Sequence, residues 1–159
     1  MRGLIQIVFK LSKWMSKIAK VFLTFMILLT VADVILRYFR RPIIGTYDVV
    51  SFSGALVMAF SIPFTSWVGG HIHVDFLILK LPPPAKRTFD IVTRCIGIGL
   101  FLVMGWHLIL LGRDLQKAGE VSSTISIPLY PIVYGLGICC LIESLVLFCN
   151  IVRLGEKYE

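Results

Sequence analysis

The chain has 159 residues, of which 57% are hydrophobic and 16% charged, with a mean hydropathy of +0.88. Soluble domains carry about 25% charged residues, so composition excludes an ordinary water-soluble fold. The net charge of +7 would suit a nucleic-acid partner, but the basic residues flank long uncharged runs, which ties them to membrane topology instead.

The reading in chain order is a single membrane domain, 1–159, with four transmembrane helices. Residues 1–17, MRGLIQIVFKLSKWMSK, place Leu4, Ile7, Val8, Leu11 and Met15 at helical spacing with lysines between them. This is the pattern of a basic amphipathic helix on the inner leaflet with Trp14 near the headgroups; an extension of the first span into water fits the same residues. The first span covers about 18–39, with charges only at Lys20, Asp33 and Arg37. Thr30-Val31-Ala32 resembles a signal-peptidase site only weakly, because the apolar helix continues through Ile35 and Leu36, so the segment is read as retained.

The second span, 47–70, is uncharged from Val49 to Gly70, long enough to cross a hydrocarbon core of roughly 30 Å. Ser51, Ala55, Ala59 and Pro63 recur every fourth residue along it, a small-residue stripe that would let another helix approach closely. Pro63 lacks an amide donor and is expected to kink the helix. The inner connection, HIHVDFLILKLPPPAKR, reads as an interfacial helix stopped by Pro82-Pro83-Pro84. The third span, about 88–113, and the fourth, about 128–152, carry glycines of packing value at 97, 99, 105, 135 and 137. There is neither an internal repeat nor a pair of broken half-helices, the usual construction of a carrier's substrate site. With both termini cytoplasmic, eleven of the sixteen Lys and Arg residues fall inside and five outside, in keeping with the positive-inside rule.

His71-x-His73-x-Asp75 is the beginning of some hydrolase zinc sites, but a further histidine would fall at Phe76, and His107 lies inside the third span. The reading is therefore no metal site, with polar residues ending a helix. Cys95, Cys139, Cys140 and Cys149 lie in or near spans with no Cys-x-x-Cys motif, which suits packing better than thiol exchange. His107 lacks an evident second histidine for haem. No catalytic residue and no cofactor is expected. Three intramembrane charges carry more information, because each costs about 2.5–3.5 kcal/mol on insertion scales. Asp33 and Arg37 are four apart on one helix and can neutralise each other as a structural bridge. Glu143, in the inner half of the fourth span, needs a partner from elsewhere: a basic residue near the inner interface or another protein.

The stretch VADVILRYFRRPIIGTYDVV, a long apolar span and then GGHIHVDFLILKLPPPAKR together resemble the DctQ family, the small membrane subunit of tripartite ATP-independent periplasmic (TRAP) transporters. Asp33, Val34, Arg37 and Tyr38 match the end of the family's first helix, and Asp48 stands where it often has glutamates. Gly70, His71, Ile72, Val74 and Asp75 match its turn, followed by Leu81 and Pro82. His73 replaces the usual arginine, and Tyr47-Asp48 the usual tryptophan-acid-acid start to helix two. The resemblance implies a bacterial inner-membrane subunit of a sodium-coupled importer of organic acids. Its partners would be a large multi-span membrane subunit, which the small one scaffolds, a periplasmic substrate-binding protein, and membrane lipids. His71 and Asp75 would fix the turn by hydrogen bonds. Arg40, Arg41 and Asp48 in one outer loop, with Asp114, Lys117 and Glu120 in the other, are candidates for docking the binding protein; setting topology is the other reading of the same charges. Beside the family reading stand a four-helix accessory subunit of another membrane complex and a membrane thiol or haem protein.

Overall fold

The structure, a computed structural model, describes residues 2–68 and 83–157. These form four helices: α1 Arg2–Tyr38, α2 Thr46–Val68, α3 Pro83–Ala118 and α4 Tyr130–Lys157. Each contains a stretch long and apolar enough to cross a membrane, and the protein is a multi-pass, all-helical membrane protein. The family turn at Gly70, His71, Ile72, Val74 and Asp75, and the expected interfacial helix, lie outside the described residues.

Residues 2–17 are not a separate element: α1 runs unbroken through the expected boundary at Lys17–Ile18. The physical reason is in the sequence, which has neither glycine nor proline between Leu4 and Arg41. The buried side of α1 runs Val8, Ser12, Met15, Ala19, Phe22, Met26, Leu29 and Asp33, alternating steps of four and three along one seam. That is the heptad spacing with which a helix keeps one stripe against a neighbour. Hydroxyls along α1 return their protons to the preceding turn: Ser12 Oγ donates to the Val8 carbonyl at 2.9 Å and Thr30 Oγ1 to the Met26 carbonyl at 2.8 Å. Within the apolar span no water is available to take the Thr30 proton.

The helices pack in the order α1–α2–α4–α3, two antiparallel hairpins set side by side. Their meeting line is α2 against α4, and α1 reaches α4 where Val8 joins Val146 and Cys149; next to Val8, Phe9 lies tilted against Trp67 of α2 with ring centres 5.4 Å apart. In the α3–α4 hairpin the two backbones come close together. A Cβ on Gly105 would lie 3.2 Å from the Gly137 carbonyl oxygen, and one on Gly137 would lie 3.3 Å from that of Gly105. Glycine at both positions lets the two backbones meet. Gly99, by contrast, faces open space.

The small-residue stripe on α2 does not coincide with its buried side. Pro63 is buried, Ala55 and Ala59 are half-buried, and Ser51 is exposed, while Ser53 and Ser66 turn inward. A four-residue step overshoots one helical turn by about 40°, so Ser51 and Pro63 end up roughly 120° apart. Along a straight helix such a stripe winds off its own face.

Candidate functional site

Two polar groupings stand out, one at each end of the row. At the end expected to face outward, both long helices close with the same device. In α1 the Arg40 amide donates to the Arg37 carbonyl at 3.0 Å and the Arg41 amide to the Leu36 carbonyl at 2.9 Å, with Arg40 in the left-handed region at φ 59°. This is a Schellman ending, whose left-handed residue is usually glycine. In α3 the corresponding place is taken by Gly119 at φ 65°, with the Glu120 amide donating to the Leu115 carbonyl at 3.2 Å. An arginine thus holds a position that its counterpart gives to glycine.

Two buried carboxylates fasten the outer loops. Asp33 Oδ2 accepts from Arg37 Nε at 2.7 Å, and its Oδ1 accepts from the Ile43 amide at 3.0 Å. The pair expected from the i, i+4 spacing is therefore present, and the same carboxylate also anchors the loop before α2. Arg37 remains largely exposed, with its side chain 63% accessible. Asp48, in the first turn of α2, accepts from the Ser122 hydroxyl and, at 3.1 Å, from the Thr124 amide. It is buried and engaged within the chain, unlike the surface position expected of a docking group. Between these two acids, Gly45 at φ 86° lies directly against Ile125. The second loop is itself closed by the Val121–Pro128 bridge and by the Ser122 amide donating to the Ile127 carbonyl at 2.8 Å. The outcome is one joined outer surface made from both loops. Arg40, Arg41, Asp114, Lys117 and Glu120 are all exposed on it.

At the opposite end, Glu143 of α4 is 1% exposed and faces α2. Its Oε1 accepts from the Ser66 hydroxyl, a neutral partner within the chain in place of the basic residue or second protein expected. Its Oε2 has no hydrogen-bond partner among the described residues. Asn150, two turns further along α4, donates from Nδ2 to the Ser66 carbonyl at 2.9 Å. That carbonyl belongs to the last turn of α2, so Asn150 ties the end of α2 to the neighbouring helix. Glu143, Ser66 and Asn150 form a polar clasp between the two hairpins. Neither Ser66 nor Asn150 was singled out in the sequence; each is one uncharged polar residue among many. Cys139 and Cys149 are buried, Cys95 is exposed, and His107 is exposed on α3.

Comparison with known proteins gives one family match. A family model described as "Tripartite ATP-independent periplasmic transporters, DctQ component" matches residues 26–156, most of the chain. No curated protein and no solved structure matches.

Proposed function

Because the chain belongs to the DctQ family and is therefore a component of a tripartite transporter, we propose that it is the brace and docking platform of a sodium-coupled importer of organic acids. It lies in the bacterial inner membrane with both termini cytoplasmic, as the charge balance of the connections favours. The first half of α1 then sits at the cytoplasmic interface. A large multi-span subunit carries the substrate, and the present chain binds that subunit along its open edges.

The observation that carries the docking role is Arg40. A left-handed conformation costs a non-glycine residue about 1–2 kcal/mol, and Gly119 in the sister loop avoids that cost. Strained positions of this kind are retained where a side chain has a task. Here the strain holds a guanidinium on the outer surface beside Arg41, and the surface itself is held firm by Asp33, Asp48 and the Gly45–Ile125 contact. Opposite charges on the binding protein would steer and orient its approach. The Arg40→Glu, Arg41→Glu double variant tests this directly. Substrate uptake and the affinity of the binding protein should both fall, with the association rate falling most and the loss shrinking as salt is raised. Unchanged uptake in that variant would refute the docking role.

A further inference from the structure

The outward side of α1 carries a feature that its packing does not use. Lys10, Lys13, Lys17 and Lys20 are exposed and follow one another in steps of three and four, about half a turn from the buried seam. They rise along the edge of the row over about 15 Å. Beside them on the same helix runs a second exposed stripe, Ile7, Leu11, Trp14 and Ile18, with Trp14 67% accessible. The chain contains no acidic residue before Asp33, so no carboxylate on the helix stands three or four residues from any of these lysines. Among the described residues none of the four is in an ion pair.

The packing register places this ladder. Phe9 meets Trp67 and Asp33 meets Ile43, so Lys10–Lys20 lie alongside the inner half of α2. The uncharged run of α1, 21–32, pairs with the outer part of α2, whereas the uncharged run of α2 is 49–70. The apolar centres of the two neighbours are offset by about ten residues, or ~15 Å. The Ser66–Glu143 and Gly105–Gly137 contacts leave the runs of α2, α4 and α3 nearly level, so the offset falls at α1 alone. Snorkelling along their aliphatic stems carries the ammonium groups at the lysine end of α1 to the level of the headgroups.

We propose that the Lys10–Lys13–Lys17–Lys20 ladder is a binding site for the headgroups of anionic phospholipids, with the Ile7–Leu11–Trp14–Ile18 stripe among the adjoining acyl chains. The juxtaposition of an uncompensated cationic stripe and an apolar stripe at the same height fits a boundary between charged and hydrocarbon layers. An acidic protein surface would satisfy the lysines but leave the apolar stripe without a matching phase. The proposal rests on the interfacial placement of α1 given above, and the experiment separates the two.

The complex containing this chain, with Trp67→Phe and Trp106→Phe so that Trp14 reports alone in this subunit, is placed in nanodiscs of phosphatidylcholine with a minor fraction of phosphatidylglycerol. One or other lipid carries brominated acyl chains, and quenching is read as the difference from the same complex with Trp14→Phe. Each lysine near an anionic surface contributes about fivefold. Brominated phosphatidylglycerol should therefore quench Trp14 several-fold more than its mole fraction predicts, and 0.5 M salt should reduce that excess. The excess should vanish when the four lysines are changed to glutamine and persist when they are changed to arginine; the pairs Lys10→Gln/Lys13→Gln and Lys17→Gln/Lys20→Gln should each remove part of it. Quenching in proportion to mole fraction would overturn the lipid site while leaving the interfacial placement standing. No quenching by either lipid would overturn both. Loss of the large subunit from the glutamine variant with unchanged lipid enrichment in the remainder would overturn the lipid site in favour of a protein partner.

Discussion

Replacing Gly45 by alanine tests whether the two outer loops form one unit. Gly45 has φ 86°, a conformation that costs a residue bearing a Cβ about 1–2 kcal/mol. The added methyl would also press on Ile125 Cγ1 and lie 2.5 Å from its Cδ1, so the branched side chain would have to shift to admit it. Overpacking of that kind costs about 1–3 kcal/mol. Gly45→Ala should therefore destabilise the protein by about 2–5 kcal/mol, read as unfolding by sodium dodecyl sulfate in mixed micelles and followed by circular dichroism. The steric and conformational parts can be separated. With Ile125→Ala in the same chain the clash disappears while the backbone cost stays, so the two substitutions should couple favourably by about 1–3 kcal/mol. Because the outer surface depends on this seat, Gly45→Ala should also weaken capture of the binding protein with Arg40 and Arg41 untouched. A stability within about 0.5 kcal/mol of wild type, the ordinary range for a surface substitution, would refute the reasoning. So would strict additivity in the double variant, which would mean that the loops are not in contact.

Other outcomes follow from the same geometry. Arg40→Gly should stabilise the fold by up to about 1 kcal/mol by relieving the left-handed strain, yet weaken binding-protein capture; equal binding by this variant and wild type would assign Arg40 a purely structural place. Asp48→Ala should free the Ser122 and Thr124 donors and make the second outer loop several-fold more sensitive to added protease, without disturbing the hairpins as judged by circular dichroism. In the clasp, Glu143→Gln keeps an acceptor for Ser66 and should cost less than 1 kcal/mol, whereas Ser66→Ala leaves the buried carboxyl unpartnered and should cost about 1–3 kcal/mol; the reverse order would count against the hydrogen bond as drawn. Gly137→Leu should force α3 and α4 apart at the Gly105–Gly137 approach, lowering stability by more than 3 kcal/mol, and a neutral effect would contradict that close packing.

What the sequence makes legible is what is local to one helix. The four spans follow from uncharged runs of sufficient length, and the Asp33–Arg37 pair follows from an i, i+4 spacing that the helix itself enforces. The continuity of α1 was also there to be read, in the lack of any breaker across Lys17–Ile18. The rest depends on which helices lie side by side, and hydrophobic runs in a lipid-facing protein do not encode that. Lipid tails and helix interiors are equally apolar, so the α1–α2–α4–α3 order leaves no strong periodic mark. Asp48 looked like a surface charge because Ser122 and Thr124, more than seventy positions away, are brought to it only by the joined hairpins. Glu143 looked unpartnered for the same reason: Ser66 becomes its neighbour through the α2–α4 contact. The four-residue stripe on α2 drifts around a 3.6-residue helix, so its spacing alone does not say which face it presents.

The most direct test of the account is purification of the tagged chain from its native membranes in mild detergent, with quantitative mass spectrometry of what accompanies it. A TRAP subunit that braces its transporter predicts one large multi-span membrane protein in stoichiometric amount, retained through size exclusion. Recovery of this chain alone, folded and monodisperse, would contradict the claim that it works as the small partner of a larger transport subunit.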